Sequence, residues 1–197
     1  PITNLPARAV EYFKTTILPG TPSWQLRLEN TIGESQLYIR EARVPTRITS
    51  TGDTTSPGYD FAAFTRLMQS GDELFTLLPE NTETNIPAGD YYLMVVSEGQ
   101  SPGSYTIGTN TASATLHSLG EATVTPMGIL NLGNDLLQVD SYVTGEVDLY
   151  QFDIDTNVPA LEIRLENTTG TPSFYVRRDD ALPRGPGYGI YSGHSYD

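Results

Sequence analysis

The sequence predicts an all-β protein: an antiparallel β-sandwich or jelly roll, arranged as a tandem repeat whose second unit is incomplete. Three observations lead there. Apolar residues alternate with polar ones at period two, as in Leu149-Tyr150-Gln151-Phe152-Asp153-Ile154-Asp155, the pattern of a half-buried strand. These runs are short and are separated by turn formers, for example Pro87-Ala88-Gly89-Asp90 and Asn167-Thr168-Thr169-Gly170-Thr171-Pro172. Finally, Arg27-Leu28-Glu29-Asn30-Thr31 returns 137 residues later as Arg164-Leu165-Glu166-Asn167-Thr168. At that offset residues 10–60 lie over 147–197 without a gap, and 15 of the 51 positions are identical. Apolar positions keep their character, with Trp24 over Leu161, Leu26 over Ile163, Leu37 over Phe174 and Ile39 over Val176. Such a repeat sets the organisation before any single element does.

In chain order, Trp24 to Glu29 alternates and reads as a strand, and Leu37-Tyr38-Ile39 reads as the next. Phe61, Phe64, Leu67 and Met68 have helical spacing after Asp60, a candidate cap, so this stretch reads as a short helix or an irregular strand. Glu73 to Leu78 is a further strand. Tyr91 to Val96 is continuously apolar, which suggests a central strand covered on both faces. Ser104 to Gly108 closes a first unit over residues 1–109. Residues 110–137 read as a linker with a lead-in strand. Residues 138–197 form the first part of a second unit, with strands at 149–155, 161–166 and 174–176.

Composition limits the partners. The 197 residues carry 24 acidic and 11 basic side chains, for a net charge of −13, and Lys14 is the single lysine. No basic surface is available to displace counterions from phosphates, so a nucleic-acid partner is not expected. An anionic membrane surface is disfavoured for the same reason. The longest apolar run, Tyr91 to Val96, is too short to span a bilayer, so no membrane insertion is expected. The lack of cysteine removes thiol chemistry and disulfides together. An acidic, Thr-rich chain without Cys suits a secreted or cell-surface location. No signal peptide opens the sequence, and Pro1 reads as a mature or cut end.

Chemistry-bearing patterns are sparse. His117 and His194 are the two histidines, with no H-E-x-x-H and no G-x-S-x-G motif, so no enzymatic activity is expected. Asp153, Asp155 and Asn157 imitate a calcium loop, but Val158 and Arg164 stand where that loop needs Gly and Glu. Asn134, Asp135 and Asp140 form a weak candidate Ca²⁺ site, set against a simple polar linker; no other cofactor is expected. Tyr188 and Tyr191, in a Gly-rich stretch over 185–193, are candidate ligand contacts for a sugar or protein. They are set against a loop covering a sheet edge. Asn167-Thr168-Thr169 fits a glycosylation sequon, a pattern short enough to arise by chance. The recurring Arg27/Arg164 and Glu29/Glu166 read as exposed ion-pair partners on strands.

The ordered motifs resemble bacterial pre-peptidase C-terminal domains. Val147-Asp148-Leu149-Tyr150-Gln151-Phe152 is similar to their opening strand, and Leu37-Tyr38-Ile39-Arg40 followed by Tyr59-Asp60 to a later one. Gly71 to Leu77, Ala88 to Val95 and Gly103 to Ile107 continue the order. The resemblance covers 10–109 and again 147–197. It departs where the family's usual acidic residue is Gln36 in one unit and Ser173 in the other, which weakens transfer of a calcium site. The resemblance implies a non-catalytic β-sandwich beside secreted peptidases or in large surface proteins.

The expected role is therefore structural, adhesive or in assembly. The partners are other copies or neighbouring repeats; the alternative is an accessory module binding polysaccharide or a protein fibre. The incomplete unit would expose unpaired strands. Three resolutions follow: a longer repeat protein, completion by another copy that propagates as a filament, or one larger sandwich within the chain.

Overall fold

The computed structural model describes residues 1–45, 64–68, 70–80, 83–99, 108–130, 145–166, 169–170, 172–178, 181–183 and 190–191. Among these there is no helix, and two antiparallel sheets pack face to face as an all-β sandwich. The first sheet holds β1 (Ile2–Leu5), β8 (Ala112–Gly120), β3 (Trp24–Ile32), β6 (Glu73–Leu77) and β11 (Ile190–Tyr191), in that spatial order. The second holds β2 (Val10–Ile17), β7 (Gly89–Ser97), β4 (Ser35–Glu41) and β5 (Phe64–Leu67). A third, two-stranded sheet pairs β9 (Val124–Ile129) with β10 (Leu149–Asp153) in parallel.

Alternation explains β3. Trp24, Leu26 and Leu28 point into the sandwich and are buried, while Arg27 between them faces water. They meet Leu37 and Ile39 of β4 and Tyr91, Leu93 and Val95 of β7 across the interface, with Phe75 from β6 beside them. Trp24 packs edge-on against Phe75 and Tyr91, its ring centroid 6.3 and 5.4 Å from theirs, and its Nε1–H donates to Ser118 Oγ at 2.9 Å. The indole is thus buried without losing its hydrogen bond. β7 is central in its sheet, and its opposite face is also closed: Met94 and Val96 are buried with Tyr38. The continuous apolar run of this strand follows from that double coverage.

Three expectations change. The stretch with helical spacing contains β5, which pairs antiparallel with β4 from Leu37↔Leu67 to Arg40↔Phe64. The open edge of β4 offers a full ladder, which outweighs a weak helical period. Phe61 and the candidate cap Asp60 lie outside the described residues. The stretch read as a linker with a lead-in strand, 110–137, contains two strands among its described residues, β8 and β9. Of these, β8 lies between β1 and β3 in the first sheet, so the sandwich closes beyond residue 109. Its Ala112, Ser113 and Ala114 are small, and its apolar alternation is correspondingly faint. Residues 104–107 lie outside the described residues.

The third change concerns the second unit. Its first strand, β10, forms where expected, and Leu149 packs with Leu78 and Ala122 at the junction with the first unit. The expected strands at 161–166 and 174–176 carry no ladder among the described residues. An extended segment gains its backbone hydrogen bonds from neighbours. In the first unit those neighbours are β6 and β8 for β3, and β5 and β7 for β4.

Candidate functional site

The sequence candidates are dispersed. Asn134, Asp135, Asp140, Tyr188 and His194 lie outside the described residues. Tyr191 belongs to β11, where it stands opposite Phe75 at the edge of β6. His117 on β8 lies 3.3 Å from a carboxylate oxygen of Glu29 on the adjacent β3. Among the described residues no three His, Asp or Glu side chains come together as a metal cage. Nor is any helix among them long and apolar enough to cross a membrane.

A polar staple at one end of the sandwich was not anticipated from the sequence. Asp72 accepts from Arg27 Nε at 3.1 Å, from Arg27 Nη2 at 2.6 Å and from the backbone N–H of Asn30 at 3.0 Å. The Asn30 amide donates to the Gly71 carbonyl. The Gly71 N–H in turn is 3.1 Å from both carboxylate oxygens of the buried Glu34. These contacts tie the β3–β4 turn to the turn that opens β6. Arg27 therefore pairs across strands with Asp72, and not with Glu29 on its own strand. Burial, followed by the nearby charges of Glu98 and Asp72, pushes the Glu34 carboxyl above the ordinary glutamate range. The signal available in the sequence was the invariance of Arg27 and Asn30 between the two repeats.

The counterpart region in the second unit differs in exposure from the first. Leu161, Ile163 and Leu165 are 39, 37 and 42 % exposed, whereas Trp24, Leu26 and Leu28 in the first unit are 2, 1 and 0 % exposed. Phe174, Tyr175 and Val176 are likewise exposed, while Leu37, Tyr38 and Ile39 are buried. Each of these side chains forgoes part of the roughly 1.5–3 kcal/mol that full burial gives. Among the described residues Arg164, the counterpart of Arg27, pairs with Glu162 and Glu166 of its own segment, at 3.3 and 3.5 Å. Gly33 and Gly170 occupy the same repeat position and have φ of 66° and 71°. That left-handed conformation is one that glycine adopts without penalty. Among the described residues β10 pairs with β9.

No family model, curated protein or solved structure matches the chain.

Proposed function

We propose that the chain is a non-catalytic structural module of a secreted or cell-surface repeat protein, which assembles by completing its second unit with strands from another repeat. Where the donor is a separate subunit, the contact runs head to tail and extends into a filament. The observation that carries this is the pair of exposed apolar segments, 161–166 and 174–176, set beside a closed sandwich whose equivalent residues are core. The resemblance to pre-peptidase C-terminal domains over 10–109 and 147–197 supports the extracellular placement and the non-catalytic role. A net charge of −13 keeps such a surface soluble until a partner arrives.

Sedimentation velocity over a range of concentrations tests the proposal. The chain is expected to self-associate with rising concentration, and Ile163→Lys combined with Phe174→Lys to remain monomeric with an unchanged near-ultraviolet spectrum. A monodisperse chain whose amides at 161–166 already resist hydrogen exchange would overturn it.

A further inference from the structure

We infer that the outer face of the second sheet binds an acidic polysaccharide, one whose sugars carry carboxylates. Side chains on a strand alternate between its two faces, and Phe13, Leu37, Ile39, Leu93 and Val95 take the core side. Tyr12 and Lys14 on β2, Tyr92 on β7 and Arg40 on β4 therefore stand on the opposite side, and so does Arg66 on β5, since Leu67 faces the core. The ladders align these residues in two rows. One runs Tyr12–Met94–Tyr38–Arg66, and the next runs Lys14–Tyr92–Arg40. The contacts agree with this placement: Lys14 Nζ lies 5.7 Å from the centre of the Tyr92 ring, and the Arg66 guanidinium 5.7 Å from that of Tyr38.

Three of the 11 basic residues thus share one sheet face, which the net charge of −13 conceals. In these rows and the adjoining Thr16–Asp90 pair the one carboxylate is Asp90, bonded to Lys14 at 2.8 Å. Arg66 Nε donates to the neutral Gln36 at 3.2 Å. Neither Arg40 nor Arg66 has an ion-pair partner among the described residues. Two guanidinium groups held on a sheet without anions of their own are complementary to carboxylates, which arginine binds through paired N–H donors. Tyr12 is exposed and Tyr92 half-buried, so both offer ring surface to a partner. A ring with an apolar body and a polar tip suits the C–H face and hydroxyls of a sugar. Neighbouring strands lie about 4.8 Å apart, close to the rise of one sugar along an extended polysaccharide. The row Lys14–Tyr92–Arg40 therefore alternates charge and ring in step with successive sugars. A neutral glycan would leave the two arginines unpaired, and an acidic peptide would leave the rings without a flat partner.

Calorimetric titration of the full chain with hexagalacturonate tests this, with cellohexaose and poly-L-glutamate as comparisons. Saturable binding is expected for hexagalacturonate, weakening as sodium chloride is raised to about 0.5 M. Arg40→Gln and Tyr12→Ala are each expected to raise Kd at least about tenfold with an unchanged near-ultraviolet spectrum. Asp90→Asn is expected to lower Kd, because it removes the opposing charge from the face. Arg164→Gln makes the same charge change outside this sheet and is expected to leave Kd unchanged. If Arg40→Gln does not fold, Arg66→Gln, at an exposed position, takes its place. No binding of hexagalacturonate overturns the inference. So does equal binding of cellohexaose, which needs no cation, or of poly-L-glutamate, which offers no sugar face, and so does an equal loss in Arg164→Gln. The readout does not involve self-association, so the assembly role proposed above stands or falls separately.

Discussion

Two carboxylates give this protein opposite responses to pH. Glu34 is buried and its carboxyl is raised, chiefly by burial, so folding favours its protonated form. Its contribution is present in full below about pH 4.5, the ordinary glutamate value, and is lost as the pH rises through the raised one. Asp90 is exposed and its carboxyl is lowered, first by the hydrogen bond from Lys14 and then by that from Thr16, at 2.8 and 2.7 Å. Its contribution is present above the ordinary aspartate value of 3.8 and is lost as the pH falls. Chemical denaturation from pH 3 to 7 should show both slopes. Glu34→Gln is expected to flatten the upper slope, because Gln retains one acceptor for the Gly71 N–H and carries no charge. Asp90→Asn is expected to flatten the lower slope and leave the upper one. The alternation around Arg27 is plain in the sequence, but its pairing with Asp72 is not, since 45 residues separate the two.

At the scale of the element, one sequence pattern has two fates. β3 and residues 161–166 share the run Arg-Leu-Glu, yet one is the middle of a five-stranded sheet and the other has no ladder among the described residues. Leu28→Ala removes a fully buried side chain and is expected to cost about 2–5 kcal/mol in urea unfolding. Leu165→Ala at the matching position is expected to cost clearly less than Leu28→Ala, about 1 kcal/mol or under, since its side chain is 42 % exposed. Equal effects at the two positions would show that 161–166 is packed in solution. Both segments were legible as strands, because periodicity reports which face is apolar. Whether that face finds a neighbour depends on other segments, which periodicity does not report. The same limit explains β8. Its Ala and Ser residues show little contrast, and its place beside β3 becomes visible only through pairing.

Across the whole molecule, charge and apolar exposure oppose each other. With 24 acidic and 11 basic residues and an isoelectric point near 4.4, copies repel one another at neutral pH. Salt screens that repulsion over a Debye length of about 8 Å at physiological ionic strength, while leaving the exposed Leu161, Ile163 and Phe174 unchanged. Self-association measured by light scattering is therefore expected to strengthen with added salt, and again as the pH approaches the isoelectric point. Weakening with salt would point to contacts made by ion pairs. The sequence by itself determined the all-β class, the positions of β3, β4, β6, β7 and β10, the acidic character and the 137-residue repeat, because composition and periodicity are local properties that each segment carries with it. Only the tertiary structure decided that β8 belongs to the first sheet, that Glu34, Gly71, Asp72 and Arg27 form one staple, and that 161–166 stands without a ladder while β3 is buried. Those are facts of pairing between distant segments, and pairing is chosen by the fold as a whole.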